Sequence, residues 1–236
     1  MPTVSNKQRL VQRLCGSTKR AAEPAVKEGS PVLEHLLYAI CREGATRAQA
    51  DKAYRTLRDQ FFDWNEVRVS AERELEDALD ALPNPEVRAF RLISLLKEIF
   101  ETTYSFDLEP LVKKGIKQAQ KHLERFGASP FVVAYALQHG MDAHALPLDE
   151  DMRRTLLRLE ILDQEPDEAA MTALEHLIPK AKGAVFCENV SEIAQACCHE
   201  SAPQCSACCM KDQCPSVQTR RAPAHGGAAT KSRARR

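Results

Sequence analysis

Four cysteines near the end of the chain could hold a metal centre. They are Cys198, Cys205, Cys208 and Cys214, in the spacing C-x6-C-x2-C-x5-C. Four thiolates in one compact segment are the ligand set of a [4Fe–4S] cluster, and they would also satisfy a tetrahedral zinc ion. Zinc sites usually repeat C-x2-4-C pairs, whereas only Cys205 and Cys208 form such a pair here. The sequence therefore favours the cluster and leaves zinc as the alternative.

The cysteine spacing resembles the iron–sulfur loop that closes endonuclease III and its relatives among the helix-hairpin-helix (HhH-GPD) DNA glycosylases. The loop also stands where that family has it, after a final run of helices and before a short tail. A ligand set that used the neighbouring Cys197 or Cys209 would lose this spacing. The resemblance covers about residues 30–215 and implies a DNA-binding protein of base-excision repair.

A second part of the resemblance is an aspartate at the predicted start of a helix. Residues 146–151 read Leu-Pro-Leu-Asp-Glu-Asp and resemble the family's P-V-D-T-H, in which the aspartate is catalytic. Asp149 would then be the catalytic residue. The exposed N–H groups and the macrodipole of a helix N-terminus favour its ionised form. An ionised carboxylate there can stabilise the positive charge that grows on the sugar and can orient a water. A simple N-cap is the alternative role for Asp149.

The hairpin motif of the family, L-P-G-V-G-x-K, corresponds to residues 125–131, which read Arg-Phe-Gly-Ala-Ser-Pro-Phe. Gly127 keeps the first glycine, and Ser129 replaces the second. With Phe131, they are the predicted DNA-binding residues of a degenerate hairpin over about residues 123–139. Amides at such a helix start can bind a phosphate. Pro130 removes one of these amides, so the predicted phosphate site is weakened.

The catalytic lysine of the family precedes its aspartate by eighteen residues, and here that position holds Phe131. A phenyl ring has no amine that could form a Schiff base with the sugar. The resemblance therefore implies a monofunctional DNA N-glycosylase, a hydrolase without the lysine-dependent AP-lyase step. The alternative is a catalytically inactive iron–sulfur module that binds DNA or a partner. The loop of residues 42–47 also lacks the glutamine with which the family fills the gap left by a flipped base.

Helices are predicted to position all of these residues. Apolar residues recur at helical spacing, prolines fall between the runs or in their first turns, and no alternation indicates strands. The predicted helices cover residues 32–41, 50–61, 90–100, 111–126, 130–139, 150–161, 167–178 and 188–197. The fold class is therefore all-α.

The resemblance implies a two-domain glycosylase fold with the active site in the cleft between the domains. Residues 30–142 would form a six-helix barrel that contains the hairpin. Residues 1–29 and 143–215 would form a helical iron–sulfur domain. Residues 216–236 are predicted to be a disordered basic tail, because no large apolar residue follows Val217.

The charge of the chain is unevenly distributed. The 33 basic and 33 acidic residues balance, but five basic residues precede Glu23 and six follow Asp212, with no acid beside them. The body between them thus has 22 basic against 33 acidic residues. Basic arms attract phosphates of any sequence, although tails that only aid solubility are the alternative. We expect double-stranded DNA as the partner and a monomeric protein.

Other features of the sequence bear on its location. No stretch approaches the roughly 20 apolar residues of a membrane span, and residues 1–20 lack the apolar centre of a signal peptide. Nine cysteines without such a signal indicate a reducing compartment. The predicted localisation is cytoplasmic, with nucleoid association in a prokaryote. Trp64, the only tryptophan, is predicted to pack inside the protein rather than to stack on a base.

Overall fold

The computed structural model describes residues 5–16 and 25–217. Every regular element within these ranges is helical, which confirms the all-α prediction. The α-helices are α1 (Asn6–Leu14), α2 (Val32–Arg42), α3 (Arg47–Gln60), α4 (Trp64–Val69), α5 (Glu72–Ala78), α6 (Pro85–Thr103), α7 (Glu109–Lys113), α8 (Ile116–Arg125), α9 (Pro130–Gly140), α10 (Glu150–Arg158), α11 (Glu168–Leu177) and α12 (Gly183–Ala196). A short 3-10 helix (Lys180–Lys182) leads into α12.

Helix α2 lies at the centre of the core. Leu36 and Leu37 are fully buried, and even Arg42 at its end is only 5% exposed. Helix α9 packs along α2, and α3 and α6 also contact it. A helix that is apolar on nearly every side must be enclosed by others. This enclosure fixes the end of α2, from which the loop of residues 43–46 emerges.

Capping side chains define where the helices near this loop begin. The Oγ of Ser129 accepts a hydrogen bond from the N–H of Val132 at the start of α9. At the start of α3, Thr46 accepts from the N–H of Gln49, and the Gln49 side chain accepts from the Thr46 N–H in return. A side-chain cap stabilises a helix by about 1 kcal/mol. The caps thus set the entry of the chain into α3 and α9.

The helix pattern differs from the predicted one in its short elements. Helices α1, α4 and α5 were not expected from periodicity. The single helix predicted over residues 111–126 is wrong, because the chain divides there into α7 and α8. Gly115 stands at the division with a φ of 83°, in the left-handed region that glycine adopts readily.

Trp64 is 7% exposed, and its indole N–H donates to Glu34 at 3.1 Å. The prediction that it packs inside the protein is therefore confirmed.

The first helix packs against the C-terminal part of the chain. Helix α1 contacts α12, and α12 also contacts α10. The Arg13 guanidinium donates to the carbonyl of Cys209 at 2.7 Å, and the Asn189 side chain donates to the carbonyl of Leu14 at 2.7 Å. These contacts join α1 to the C-terminal part of the described residues. The division into residues 1–29 with 143–215 and residues 30–142 stays a prediction.

Most of the predicted tail, residues 216–236, lies outside the described residues. Of its first two residues, Ser216 donates through its hydroxyl to the carbonyl of Arg158 at 2.7 Å, and Val217 is buried. Within the described ranges, no helix combines the length and the apolar character that crossing a bilayer would need.

Burial predicts which aromatic side chains stabilise this fold. Phe186 in α12 is fully buried, whereas Phe62 is 92% exposed. We expect Phe186→Ala to lower the free energy of unfolding by about 3–5 kcal/mol, because it removes buried surface and leaves a cavity. Phe62→Ala, the matched control, should change it by less than about 0.5 kcal/mol. Urea unfolding followed by circular dichroism measures both, and equal effects would contradict the core assignment.

Candidate functional site

The Asp149 carboxylate is held between two elements. It is the N-cap of α10, where its Oδ1 accepts from the N–H of Met152 at 2.8 Å. Its Oδ2 accepts from the N–H of Gly44 at 3.0 Å. Gly44 lies in the loop of residues 43–46 with a φ of 65°, a conformation that costs glycine little. Asp149 therefore has the predicted N-cap position and also contacts the α2–α3 loop.

The surroundings of Asp149 favour proton uptake. Burial raises the pKa of the Asp149 carboxyl, and the nearby charge of Asp151 raises it further. The N–H groups of Met152 and Gly44 and the guanidinium of Arg42 oppose the rise, since they favour the charged form. Burial dominates, so the pKa lies above the usual value of an aspartate. A carboxylate with a raised pKa is better suited to accept a proton from water.

A partly buried ion pair joins the end of α2 to α12. The Arg42 guanidinium lies 3.3 Å from the Glu188 carboxylate and also donates to the carbonyl of Ala45. Arg42 is 5% exposed, so it is not available to fill a gap in DNA. Neither the ion pair nor the bond to the Ala45 carbonyl could be predicted from the sequence, because arginine and glutamate usually lie on the surface.

The hairpin lies against the same loop. Gly127 has a φ of 79°, and Ser129 begins α9. The Ser129 hydroxyl lies 3.0 Å from Oε1 of Glu43 and 3.1 Å from Oε2, and the Arg91 guanidinium donates to Oε2 at 2.5 Å. The Glu43 carboxylate therefore lies at the position where the sequence predicts a bound phosphate.

Phe131 lines a cavity between α9, α10 and α12 rather than the protein surface. The cavity has about 320 Å³ of space, part of which is open to solvent, and Phe131 is 5% exposed. The Phe131 ring lies 6.0 Å from that of Tyr135, which lies 4.2 Å from that of His139. The hydroxyl of Ser191, on the opposite wall, is buried without a hydrogen-bond partner among the described residues. For DNA to contact Phe131 as predicted, part of a nucleotide would have to enter this cavity.

The four predicted metal ligands surround one cavity. Cys198, Cys205, Cys208 and Cys214 all line it, as does Cys197, and the space among them is about 440 Å³, part of which is open to solvent. Cys209 does not line this cavity and is exposed. Among the described residues, no three histidine, cysteine or acidic side chains converge closely enough to hold one metal ion. The four predicted ligands thus share one cavity.

Two arginines of α10 hold the cysteine loop through its backbone. The Arg158 guanidinium donates to the carbonyls of His199 at 2.7 Å and Glu200 at 2.8 Å, and it lies 3.5 Å from the Cys198 sulfur. The Arg154 guanidinium donates to the carbonyl of Cys198 at 3.0 Å. Asp149 begins the helix that carries both arginines. The structure therefore connects the predicted ligands, the aspartate and the hairpin through α10 and the α2–α3 loop.

Comparison with known proteins identifies the fold. No family model and no curated protein sequence matches the chain. A thermostable thymine-DNA glycosylase is 17% identical with a TM-score of 0.66, over 91% of this chain and 97% of that one. An endonuclease III in a non-covalent DNA complex is 15% identical with a TM-score of 0.66, over 92% and 99%.

A third similar structure is the H. pylori 3-methyladenine DNA glycosylase bound to 1,N6-ethenoadenine. It is 15% identical with a TM-score of 0.55, over 80% of this chain and 97% of that one. The chain thus has the helical fold of the helix-hairpin-helix glycosylases, as the sequence predicted.

The raised pKa of Asp149 predicts a pH-dependent contribution to stability. The unfolded aspartate ionises near pH 4, while the folded one stays protonated to higher pH. Between the pKa values of the unfolded and the folded Asp149, the native state binds more protons than the unfolded state. The free energy of unfolding therefore falls as pH rises through this range. Asp149→Asn lacks this loss. We expect the unfolding free energy of the wild type minus that of Asp149→Asn to fall as pH rises above 4 and then to level off.

Urea unfolding of both proteins at several pH values above 4 measures this difference. A constant offset is expected because asparagine has one side-chain oxygen where aspartate has two to accept from Met152 and Gly44, and this offset does not affect the test. A difference that stays flat or rises with pH would contradict the raised pKa.

Proposed function

We propose that the chain is a monofunctional DNA N-glycosylase of base-excision repair, with Asp149 as its catalytic residue. The observation that carries this proposal is the position of Asp149. Its buried carboxylate begins α10 beside the α2–α3 loop, in a fold shared with DNA glycosylases. The proposed partner is double-stranded DNA, and the substrate is a damaged or mismatched base.

The proposed reaction needs a carboxylate and a water. The target nucleotide would leave the base stack before the reaction, since its sugar is not accessible within the duplex. As the N-glycosidic bond breaks, its electron pair leaves with the base and positive charge grows on the sugar. The Asp149 carboxylate stabilises this charge. Water forms the new bond to the sugar carbon, and Asp149 accepts its proton.

The same proposal excludes strand cleavage through a lysine at the hairpin. Phe131 has no nucleophile, and its ring is packed against Tyr135 in the cavity wall. A Schiff base requires an amine, so the product of the proposed reaction is an intact abasic sugar.

Duplex binding is proposed to depend mainly on charge. Glu43 bonds both the Ser129 hydroxyl and the Arg91 guanidinium, so these two groups are already occupied at the predicted phosphate site. The basic residues near both ends of the sequence would supply the attraction to DNA instead. Binding that relies on basic arms weakens steeply with salt.

We further propose a [4Fe–4S] cluster on Cys198, Cys205, Cys208 and Cys214. A tetrahedral zinc at bond lengths of about 2.3 Å needs sulfur atoms close to one another, whereas a cluster binds each thiolate through a different iron. The four thiols line one cavity together, which supports a shared metal centre, and their spacing in the sequence favours the cluster. It would link the loop to the end of α12 and supply structural stability.

The glycosylase proposal predicts base release that depends on Asp149. On a panel of duplexes with damaged or mismatched bases, we expect the wild type to release at least one base. Asp149→Asn should slow release about 10²–10³-fold, although asparagine preserves the helix cap. Asp163→Asn, whose side chain is 89% exposed, is the control and should retain activity.

Two further outcomes decide the glycosylase proposal. The abasic product should be cut only by alkali, and borohydride should trap no covalent adduct. If the wild type releases no base but binds duplex DNA, the inactive binding module replaces the glycosylase as the function.

The cluster proposal predicts a difference between two adjacent cysteines. The wild type purified without oxygen should be brown and contain about four iron and four sulfide per chain. Cys208→Ser should lose most of both, because it removes a thiol that lines the cavity. Cys209→Ser should retain both, since Cys209 is exposed and only its carbonyl bonds Arg13. A colourless wild type with about one zinc per chain would instead establish the zinc alternative.

A further inference from the structure

Arg88 is a buried cation surrounded by backbone carbonyls. It lies in α6 and is 7% exposed. Its Nε donates to the carbonyl of Pro83 at 2.8 Å, its Nη1 donates to the carbonyl of Ile40, and its Nη2 donates to the carbonyl of Glu43 at 2.5 Å. Burying a charge is costly unless its hydrogen bonds are satisfied. The site is therefore built specifically for a guanidinium, which presents several donors in one plane.

One of these carbonyls belongs to the peptide that contacts Asp149. The Glu43 carbonyl and the Gly44 N–H are the two ends of a single peptide group. Arg88 donates to the oxygen of this peptide group, and the N–H of the same group donates to Oδ2 of Asp149 at 3.0 Å. A cation at the oxygen and an anion at the N–H both align with the peptide dipole. Hydrogen bonds in such a chain polarise and strengthen one another.

Arg88 and Asp149 anchor the two ends of this peptide. Gly44 has a φ of 65°, and the many conformations open to glycine make such a loop flexible. Arg88 binds the end of α2 and the Pro83 carbonyl at the same time. It thus fixes the peptide relative to α6 as well as to α2, while Asp149 binds the N–H end of the same peptide.

We propose that Arg88 is a positioning residue for Asp149, because it orients the peptide between Glu43 and Gly44 so that its N–H holds the carboxylate in place. This inference rests on the proposed catalytic role of Asp149 for its functional meaning. The geometry concerns the carboxylate itself, so it can be tested without activity.

The expected effect of losing Arg88 has a defined sign. The charged groups near Asp149 are Arg42, Arg88 and Asp151, and the Gly44 N–H favours its ionised form. Without Arg88 this N–H is no longer aimed at the carboxylate, and the favourable charge of Arg88 near Asp149 is lost as well. The pKa of Asp149 then moves upward. Since the reaction uses the ionised form, the acidic limb of the rate profile for base release should move to higher pH as well.

The test measures Asp149 and Gly44 directly in the full chain. In Arg88→Met we expect the carboxyl carbon of Asp149, followed by NMR, to titrate at higher pH than in the wild type. The Gly44 amide should exchange with solvent about tenfold faster, the factor expected for one lost hydrogen bond. Arg91→Met is the matched control. It removes a guanidinium that bonds the Glu43 side chain rather than the Glu43 carbonyl, and it should leave the titration of Asp149 unchanged.

Arg88→Lys covers the case in which Arg88→Met does not fold. Lysine keeps the charge but lacks the planar fork, so it should give a shift of the same sign. Unchanged titration of Asp149 and unchanged exchange of Gly44 in a folded Arg88 variant would overturn the proposal. If the wild type releases no base, the proposed function fails, whereas these two measurements still decide the role of Arg88.

Discussion

The carboxylate of Asp149 connects two parts of the chain that are 105 residues apart in sequence. One oxygen closes the first turn of α10, and the other binds the loop that leaves α2. The remaining features depend on this connection. The loop also bonds the hairpin through Glu43, and α10 carries the arginines that bind the cysteine loop. A shift of Asp149 would therefore change the relative positions of the α2–α3 loop, the hairpin and the cysteine loop.

The long helices could be predicted from the sequence because their apolar residues repeat over several turns. Helices α2 and α9 show this, and their packing forms the centre of the core. Helices α4 and α5 have six and seven residues, too few to display a period. The break at Gly115 was missed because the apolar pattern continues across it, and a single glycine inside a helical pattern does not require a break.

The sequence spacing predicted Asp149 and the four cysteines as site residues. The buried arginines Arg42 and Arg88 became evident only from the tertiary structure. The distance from Phe131 to Asp149 and the cysteine spacing follow from the printed sequence, and the predicted N-cap of α10 is present. Arg42 and Arg88 could not be found in this way. Their burial depends on carbonyls and carboxylates contributed by other segments, such as Glu188 for Arg42 and Pro83 for Arg88. From its residue type alone, a charged residue is expected to lie on the protein surface.

The arginines of α10 contact the cysteine loop through carbonyl groups, at Cys198, His199 and Glu200. Every amino acid presents the same carbonyl, so this attachment does not depend on which side chains the loop carries. The segment between Cys198 and Cys205 can therefore change its composition, and with it the surface it offers to a partner, while its anchorage stays the same. Such a loop is a suitable place for variation or engineering of specificity within an otherwise fixed scaffold.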